Sequence, residues 1–256
     1  MSQSCRKLEV SFCEQLFTCD SVLNGHMVHT VMVIEDDEAI RFVLCANLLD
    51  EGYEVLEFST AEKALEIFQS IRPDVMLVDI RLPGISGLDL IRSIRGTSQV
   101  PIIAVTAQTD SLDIIAGLEA GADDYVTKPF VASELMARIK TQIRRIEKCE
   151  GSSSLNILRC GDLVLREDSA SLFRANVPVS ISRIEFFVLR ELLLAKGTVL
   201  SREHLLRNVW GYSHAGDGRI VDNLIYRLRT KIESDSSNPK MLTTVRGFGY
   251  RMQDPE

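Results

Sequence analysis

The sequence predicts an α/β protein: a doubly wound parallel sheet followed by a smaller α+β unit. Apolar β-branched runs alternate with amphipathic helical patterns through the first half. The charge also divides. Residues 28–147 hold 11 Lys and Arg against 20 Asp and Glu, a net of −9, whereas residues 155–256 hold 15 against 12, a net of +3. Between them, Glu150-Gly-Ser-Ser-Ser-Leu155 has the composition of a linker. The expected division is an extension at 1–27, a first domain at 28–147, a joint at 148–154 and a second domain at 155–253.

The elements of the first domain follow from the pattern. Val31–Ile34, Val75–Val78 and Ile102–Val105 read as buried strands, with weaker strands at Tyr53–Leu56 and Tyr125–Thr127. Ala39–Leu49, Ala61–Ile71, Leu88–Ile94, Leu112–Ala120 and Val131–Ile146 carry apolar residues at helical spacing. Five strands alternating with five helices imply a parallel sheet covered on both faces. Ligands of such sheets sit beyond the carboxyl ends of the strands, where the strand order reverses.

In the second domain, short strands are expected around Asp162–Leu165 and Ala170–Phe173. A first helix starts at Ser182, with Glu185 completing a capping box, and a second runs from Ser201 to Trp210. Gly216–Gly218 breaks the chain before a third helix, Arg219 to about Ser234. Its Val221, Leu224, Ile225, Leu228 and Ile232 form one narrow apolar stripe. A hairpin closes the domain, Leu242–Arg246 and Tyr250–Met252 around a Gly-Phe-Gly turn.

A composition of 45% hydrophobic and 25% charged residues sets aside disorder, collagen and coiled coil. No run approaches the ~18 apolar residues of a membrane span. Glu9, Glu14 and Asp20 fall where a signal peptide would be apolar, so a cytoplasmic location without membrane contact is expected. Six cysteines form no CxxC pair and four histidines lack ligand spacing, which sets aside zinc and thiol-nucleophile chemistry in favour of reduced, structural thiols.

Chemistry collects at the strand ends. Glu35, Asp36 and Asp37 end the first strand and Asp79 the third. Carboxylates held together repel, so the cluster suits a hard cation, Mg²⁺ being the natural occupant. Thr106 and Lys128 end the fourth and fifth strands, completing a set that stabilises charge on a transferring phosphoryl group, with Asp79 as its acceptor. No GxGxxG or GxxxxGK[ST] is present. On the third helix of the second domain, Arg219, Asn223, Tyr226, Arg227 and Thr230 suit base edges and phosphates.

Val33-Ile-Glu-Asp-Asp-Glu38, Val78-Asp-Ile-Arg-Leu-Pro-Gly84, Val105-Thr-Ala107 and Gly121-Ala-Asp-Asp-Tyr-Val-Thr-Lys-Pro-Phe130 resemble the receiver domain of two-component response regulators. Ser201-Arg-Glu203, Val209-Trp-Gly211, Arg219-Ile-Val-Asp222, Arg227-Leu-Arg229 and Thr244-Val-Arg-Gly247 are similar to the winged-helix output domain of the OmpR/PhoB family. The first resemblance implies a flavodoxin-like sheet of order 2-1-3-4-5 and phosphotransfer from a sensor histidine kinase to Asp79. It places Mg²⁺ on Glu35, Asp36, Asp79 and the Arg81 backbone carbonyl, with Asp36 a direct ligand and Glu35 acting through water. Thr106 and Lys128 meet the phosphoryl oxygens, Tyr125 is the aromatic switch, and Lys128-Pro129 is a cis peptide. Arg81 and Gln108 stand where receivers tune the phosphate's lifetime, and Ser86 replaces a usual Asp.

The second resemblance implies double-stranded DNA as partner. Asp222, Asn223 and Arg227 approach bases; Arg219, Arg229 and Thr244 hold phosphates; Arg246 enters the minor groove from the wing. Leu224 and Tyr226 depart from the usual residues. Activated receivers pair through the fourth helix, fifth strand and fifth helix, with Leu118 as an apolar contact, Asp123 facing Lys140 and Asp124 facing Arg138 across a two-fold axis. Glu134 lacks its basic counterpart because Ile114 stands there. The expected function is a phosphorylation-controlled transcription regulator, a homodimer on activation, with RNA polymerase as a further partner. It is not a turnover enzyme. The competing readings are a phosphohydrolase with an aspartyl-phosphate intermediate and a constitutive DNA binder with a vestigial receiver.

Overall fold

The computed structural model describes residues 28–107, 111–150, 157–211 and 217–255. The extension at 1–27, most of the joint, Gln108, His214 and Gly216 lie outside the described residues.

The first domain is a five-stranded parallel sheet of order β2-β1-β3-β4-β5. Its strands are β1 (Thr30–Ile34), β2 (Glu54–Phe58), β3 (Val75–Asp79), β4 (Ile102–Ala107) and β5 (Asp124–Lys128). Five helices alternate with them: α1 (Glu38–Asp50), α2 (Ala61–Phe68), α3 (Gly87–Arg95), α4 (Ser111–Ala120) and α5 (Ala132–Glu150). The central strands are apolar throughout because alternate side chains serve two cores. Met32, Ile34, Met76 and Val78 meet α2 and α3. Val31, Val33, Val75 and Leu77 meet Leu44 and Leu48 of α1 and Leu135, Ile139 and Ile143 of α5. The chain switches direction between β1 and β3, which sets the crevice above Glu35 and Asp79.

Two helix ends in this domain differ from expectation by three residues or more. Helix α2 ends at Phe68 rather than Ile71, ahead of Pro73, whose ring disfavours helix at Arg72. Helix α5 continues to Glu150 and so takes in the first residues of the expected joint, since nothing before Gly151 breaks it.

The second domain opens with an antiparallel sheet of four strands, twice the number expected: β6 (Ile157–Cys160), β7 (Leu163–Arg166), β8 (Ser171–Arg174) and β9 (Val177–Val179). Helix α6 (Arg183–Leu194) carries the capping box of Ser182 and Glu185. The expected helix at 201–210 is α only over α7 (Arg202–Leu205). It then widens into a π-helical stretch, Leu206–Trp210, ended by Gly211 at φ 75°. Helix α8 (Gly218–Ile232) is capped by Asp217, and its whole predicted apolar stripe is buried. The hairpin β10 (Leu242–Val245) and β11 (Gly249–Met252) completes a winged helix. Its base is fixed to the chain before α7, where Leu200 and Tyr250 exchange backbone hydrogen bonds of 2.8 and 2.9 Å. Gly249, at φ 143°, permits this approach, since a Cβ there would lie 2.0 Å from the Leu200 carbonyl oxygen.

The two domains share one core. Ile114 and Leu118 of α4 are buried with the apolar face of α8 and with Trp210. Between the domains, the Trp210 indole N–H donates to the Asp123 carbonyl at 3.1 Å and Arg227 donates to the Ala122 carbonyl at 3.0 Å.

Candidate functional site

The strand ends bring the predicted acceptor cluster together. Carboxylate oxygens of Glu35, Asp36 and Asp79 all lie within 4.8 Å of one another. Lys128, delivered by β5 and the observed cis bond to Pro129, places its Nζ 2.5 Å from Asp79 Oδ2 and 2.7 Å from Glu35. Glu35 and Asp79 are buried, whereas Asp36 is exposed. Burial, reinforced by the charge of Asp79 and opposed by Lys128, pushes Glu35 up to about 7. The ammonium thus balances acids that face one another out of water, and an oxygen-rich set short of positive charge fits Mg²⁺. Asp36 and Asp79 would hold the ion, with Glu35 behind them, and it would supply charge neutralisation during phosphoryl transfer.

Thr106 ends β4 with its hydroxyl buried and without a protein partner. A buried orphan hydroxyl is costly, and a phosphoryl oxygen would satisfy it. Arg81 donates its backbone N–H to Asp79 Oδ1 at 2.9 Å, and its guanidinium pairs with Asp113 of α4 at 2.8 Å. Two residues of this site escaped the sequence reading. Gly87 passes so close to the acceptor strand that a Cβ would sit 1.9 Å from the Asp79 carbonyl oxygen. Ser86, noted only as a replacement, caps α3 by accepting from the Asp89 N–H.

Tyr125 points away from the cluster. Its hydroxyl donates to Asp217, the N-cap of α8, at 2.6 Å. Burial pushes the Tyr125 pKa up, and Asp217 adds to this. Hydrogen bonds from Tyr125 and Arg219 hold Asp217 low in spite of its own burial. Asp217 escaped the sequence reading, which saw only a chain break at Gly216–Gly218; an Asp at the mouth of a helix is a capping signal, but nothing local points to a partner 92 positions away.

The residues expected at DNA are placed differently from one another. Arg246 is exposed in the wing turn. Arg219 pairs with Asp217 at 2.5 Å, and Asp222 with Arg202 at 2.5 Å and the Tyr250 hydroxyl at 2.6 Å. Arg229 is turned to the wing, donating to the Leu242 carbonyl and to the Thr244 hydroxyl, both at 2.8 Å. Arg227 departs most from expectation. It lies between the domains, against Ala122 and 3.1 Å from the buried Glu185, which Lys231 also meets at 2.6 Å. Asn223 and Tyr226, with Ile115, Leu118 and Glu119 of α4, line a 250 Å³ cleft between α4 and α8. The first domain therefore covers one side of the reading face, at Asn223 and Arg227, while Arg219, Asp222, Tyr226 and Thr230 stay exposed.

The expected pairing face is buried in part, at Leu118, Asp123 and Asp124, while Glu134 and Lys140 are exposed. Leu118 lies in the shared core, and Ile114 beside it explains why no basic residue stands there. Asp123 pairs with the buried Arg95, Asp124 with Arg138 at 2.8 Å, and Lys140 with Glu51 at 2.6 Å, all within the chain. Of the pairs expected across a two-fold axis, Asp124–Arg138 is thus made within the chain, whereas Asp123 and Lys140 each take another partner, because both aspartates are buried beside basic residues of α3 and α5.

The family described as "Response regulator receiver domain" matches residues 31–140, and "Transcriptional regulatory protein, C terminal" matches residues 176–252. The chain is 42% identical over 232 residues to the transcriptional regulatory protein CseB of Streptomyces coelicolor, covering 87% of this chain and 97% of CseB. The chain is a response regulator of the OmpR/PhoB class. The regulator is also 38% identical over 229 residues to the DNA-binding response regulator MtrA of Mycolicibacterium smegmatis, covering 90% of this chain and 99% of MtrA. Among solved structures, a Cys-to-Ser mutant of RitR superposes with a TM-score of 0.72 at 26% identity, covering 88% of the regulator and 99% of that chain. Receiver and winged-helix domains together support a phosphorylation-controlled transcription regulator and imply DNA binding and a kinase partner. Among the described residues, no helix is long and apolar enough to cross a membrane.

Proposed function

We propose that a sensor histidine kinase transfers a phosphoryl group to Asp79 and that this frees the α8 face for promoter DNA. The observation that carries the reading is the position of α4. Its first turn pairs with Arg81 of the acceptor loop, and its middle is buried against α8. The Asp79 carboxylate attacks phosphorus in line, and the leaving nitrogen of the donor's phosphohistidine departs with its electron pair. Lys128 takes the new charge, Thr106 supplies a hydroxyl to a phosphoryl oxygen, and a Mg²⁺ held by Asp36 and Asp79 would add charge neutralisation. Movement of Thr106 toward the phosphoryl group makes room for Tyr125, which then leaves Asp217. Loss of that hydrogen bond favours the open chain, since a ligand shifts a conformational equilibrium only through its differential preference.

In the open chain, α4, β5 and α5 form the homodimer face through Leu118, Asp123, Asp124, Arg138 and Lys140, the in-chain pairs exchanging for pairs across the axis. Two α8 helices then occupy tandem half-sites, with Arg219, Asp222, Asn223, Arg227, Arg229 and Thr244 on the duplex and Arg246 in the minor groove. RNA polymerase meets this complex at the promoter, and the regulator works in the cytoplasm. The test is intact mass after incubation with Mg²⁺ and a small phosphodonor, with DNA affinity and gel filtration in parallel. One adduct on the wild type and none on Asp79→Asn, tighter binding and a dimer are expected. Equal DNA affinity with and without the adduct would favour a constitutive binder.

A further inference from the structure

The wing carries a feature that the roles given above do not use. Phe248 is 72% exposed at the hairpin tip, next to Gly247 and two residues from the exposed Arg246. The tip is a tight turn closed by the Phe248 N–H on the Val245 carbonyl at 3.0 Å, with Gly247 at φ 78°. Its base does not move freely. Beyond the Leu200 pairing, the Tyr250 ring lies under Arg202 at 4.9 Å and Arg229 at 5.8 Å, and its hydroxyl is held by Asp222. A stiff hairpin therefore holds a large apolar ring in water beside a cation. Residues 242–252 include Arg246 and Arg251 and no acid, so the surroundings suit a polyanion.

We infer that Phe248 is a specificity-determining residue for DNA, an apolar wedge that packs against the deoxyribose walls and a base step of the minor groove beside Arg246. Apolar side chains in that groove partly unstack a step, which favours flexible pyrimidine–purine sequences. The inference rests on the winged-helix reading above. Because it is apolar, the wedge contributes affinity without releasing counterions, whereas Arg246 contributes both.

The probe is a duplex enriched by the phosphorylated wild-type chain from a random-sequence pool. Phe248→Ala is expected to bind it about 5–20-fold more weakly with an unchanged salt slope, in the range of a lost wedge or stacking contact. Phe248→Leu should recover most of the loss. Arg246→Ala should weaken binding and flatten the slope of log K against log salt by roughly 1. Phe248 packs on nothing that the fold needs, and an unchanged melting temperature checks this. Wild-type affinity in Phe248→Ala, with Arg246→Ala impaired, overturns the wedge while leaving the winged-helix reading intact. Failure of the wild type to enrich any duplex overturns that reading and the wedge with it.

Discussion

Lys128 neutralises two acids that would otherwise face one another away from water. Its 20% exposure tempers the cost of removing it, since a fully buried broken pair costs about 3–5 kcal/mol. Lys128→Ala is expected to lower receiver stability by about 2 kcal/mol in denaturant unfolding, with part of the loss restored by millimolar Mg²⁺. A Mg²⁺-insensitive loss would argue against a shared charge balance. The raised Glu35 adds a pH dependence. Its protonated form is favoured in the folded chain, so it contributes stability below the unfolded value near 4.5 that is lost as pH rises through about 7. Metal binding draws on the ionised form. The gain in melting temperature from Mg²⁺ should therefore grow between pH 6 and pH 8, and equal gains at both would remove Glu35 from the site. Gly87 tests the backbone at the same place, as a Cβ has no room beside the Asp79 carbonyl oxygen. Gly87→Ala should cost about 3 kcal/mol, at the upper end for overpacking, and slow phosphorylation of Asp79.

Helices α4 and α8 set the balance between covered and open states. The Tyr125–Asp217 hydrogen bond ties β5, beside α4, to the N-terminus of α8, and a bond to a charged acceptor is worth about 1.5–3 kcal/mol. Tyr125→Phe and Asp217→Asn should each raise the DNA affinity of the unphosphorylated chain roughly 5–10-fold, and the double variant no further. Fluorescence anisotropy on a promoter duplex reads both, and additive effects would show that the two residues act separately. Helix α4 itself was read from its spacing alone. That it buries Ile114 and Leu118 in the neighbouring domain was not readable, because an apolar stripe shows that a face is covered but does not name the covering surface. Trp210 illustrates the same limit. It is buried at the end of its helix, and its indole bond to the Asp123 carbonyl joins positions 87 apart.

At the scale of the whole molecule, an acidic receiver packs along one side of the reading helix of a basic output domain, covering Arg227 and leaving Arg219, Asp222 and Tyr226 exposed. Arg227 takes a backbone carbonyl and Glu185 in place of DNA. DNA and the receiver then compete for one surface. Affinity of the phosphorylated chain should fall steeply with salt, log K changing by roughly −0.9 per phosphate met for each unit of log salt. A flat salt response would remove DNA phosphates from the reading. By linkage, a saturating duplex should also raise the equilibrium extent of Asp79 phosphorylation, since whatever favours the open chain favours both events.

Several things were determined by local sequence: the alternation of strands and helices, the acids and lysine at strand ends, the capping box at Ser182 and the apolar stripe of α8. These depend on residue type at short spacing, where period and capping chemistry act. Tertiary structure alone decided which surfaces meet. It turned Arg227 and Tyr125 toward the domain interface, paired Asp124 with Arg138 inside one chain, and left Phe248 in water. Such choices follow from packing two folded faces together, and the free energy of that packing resides in neither segment by itself.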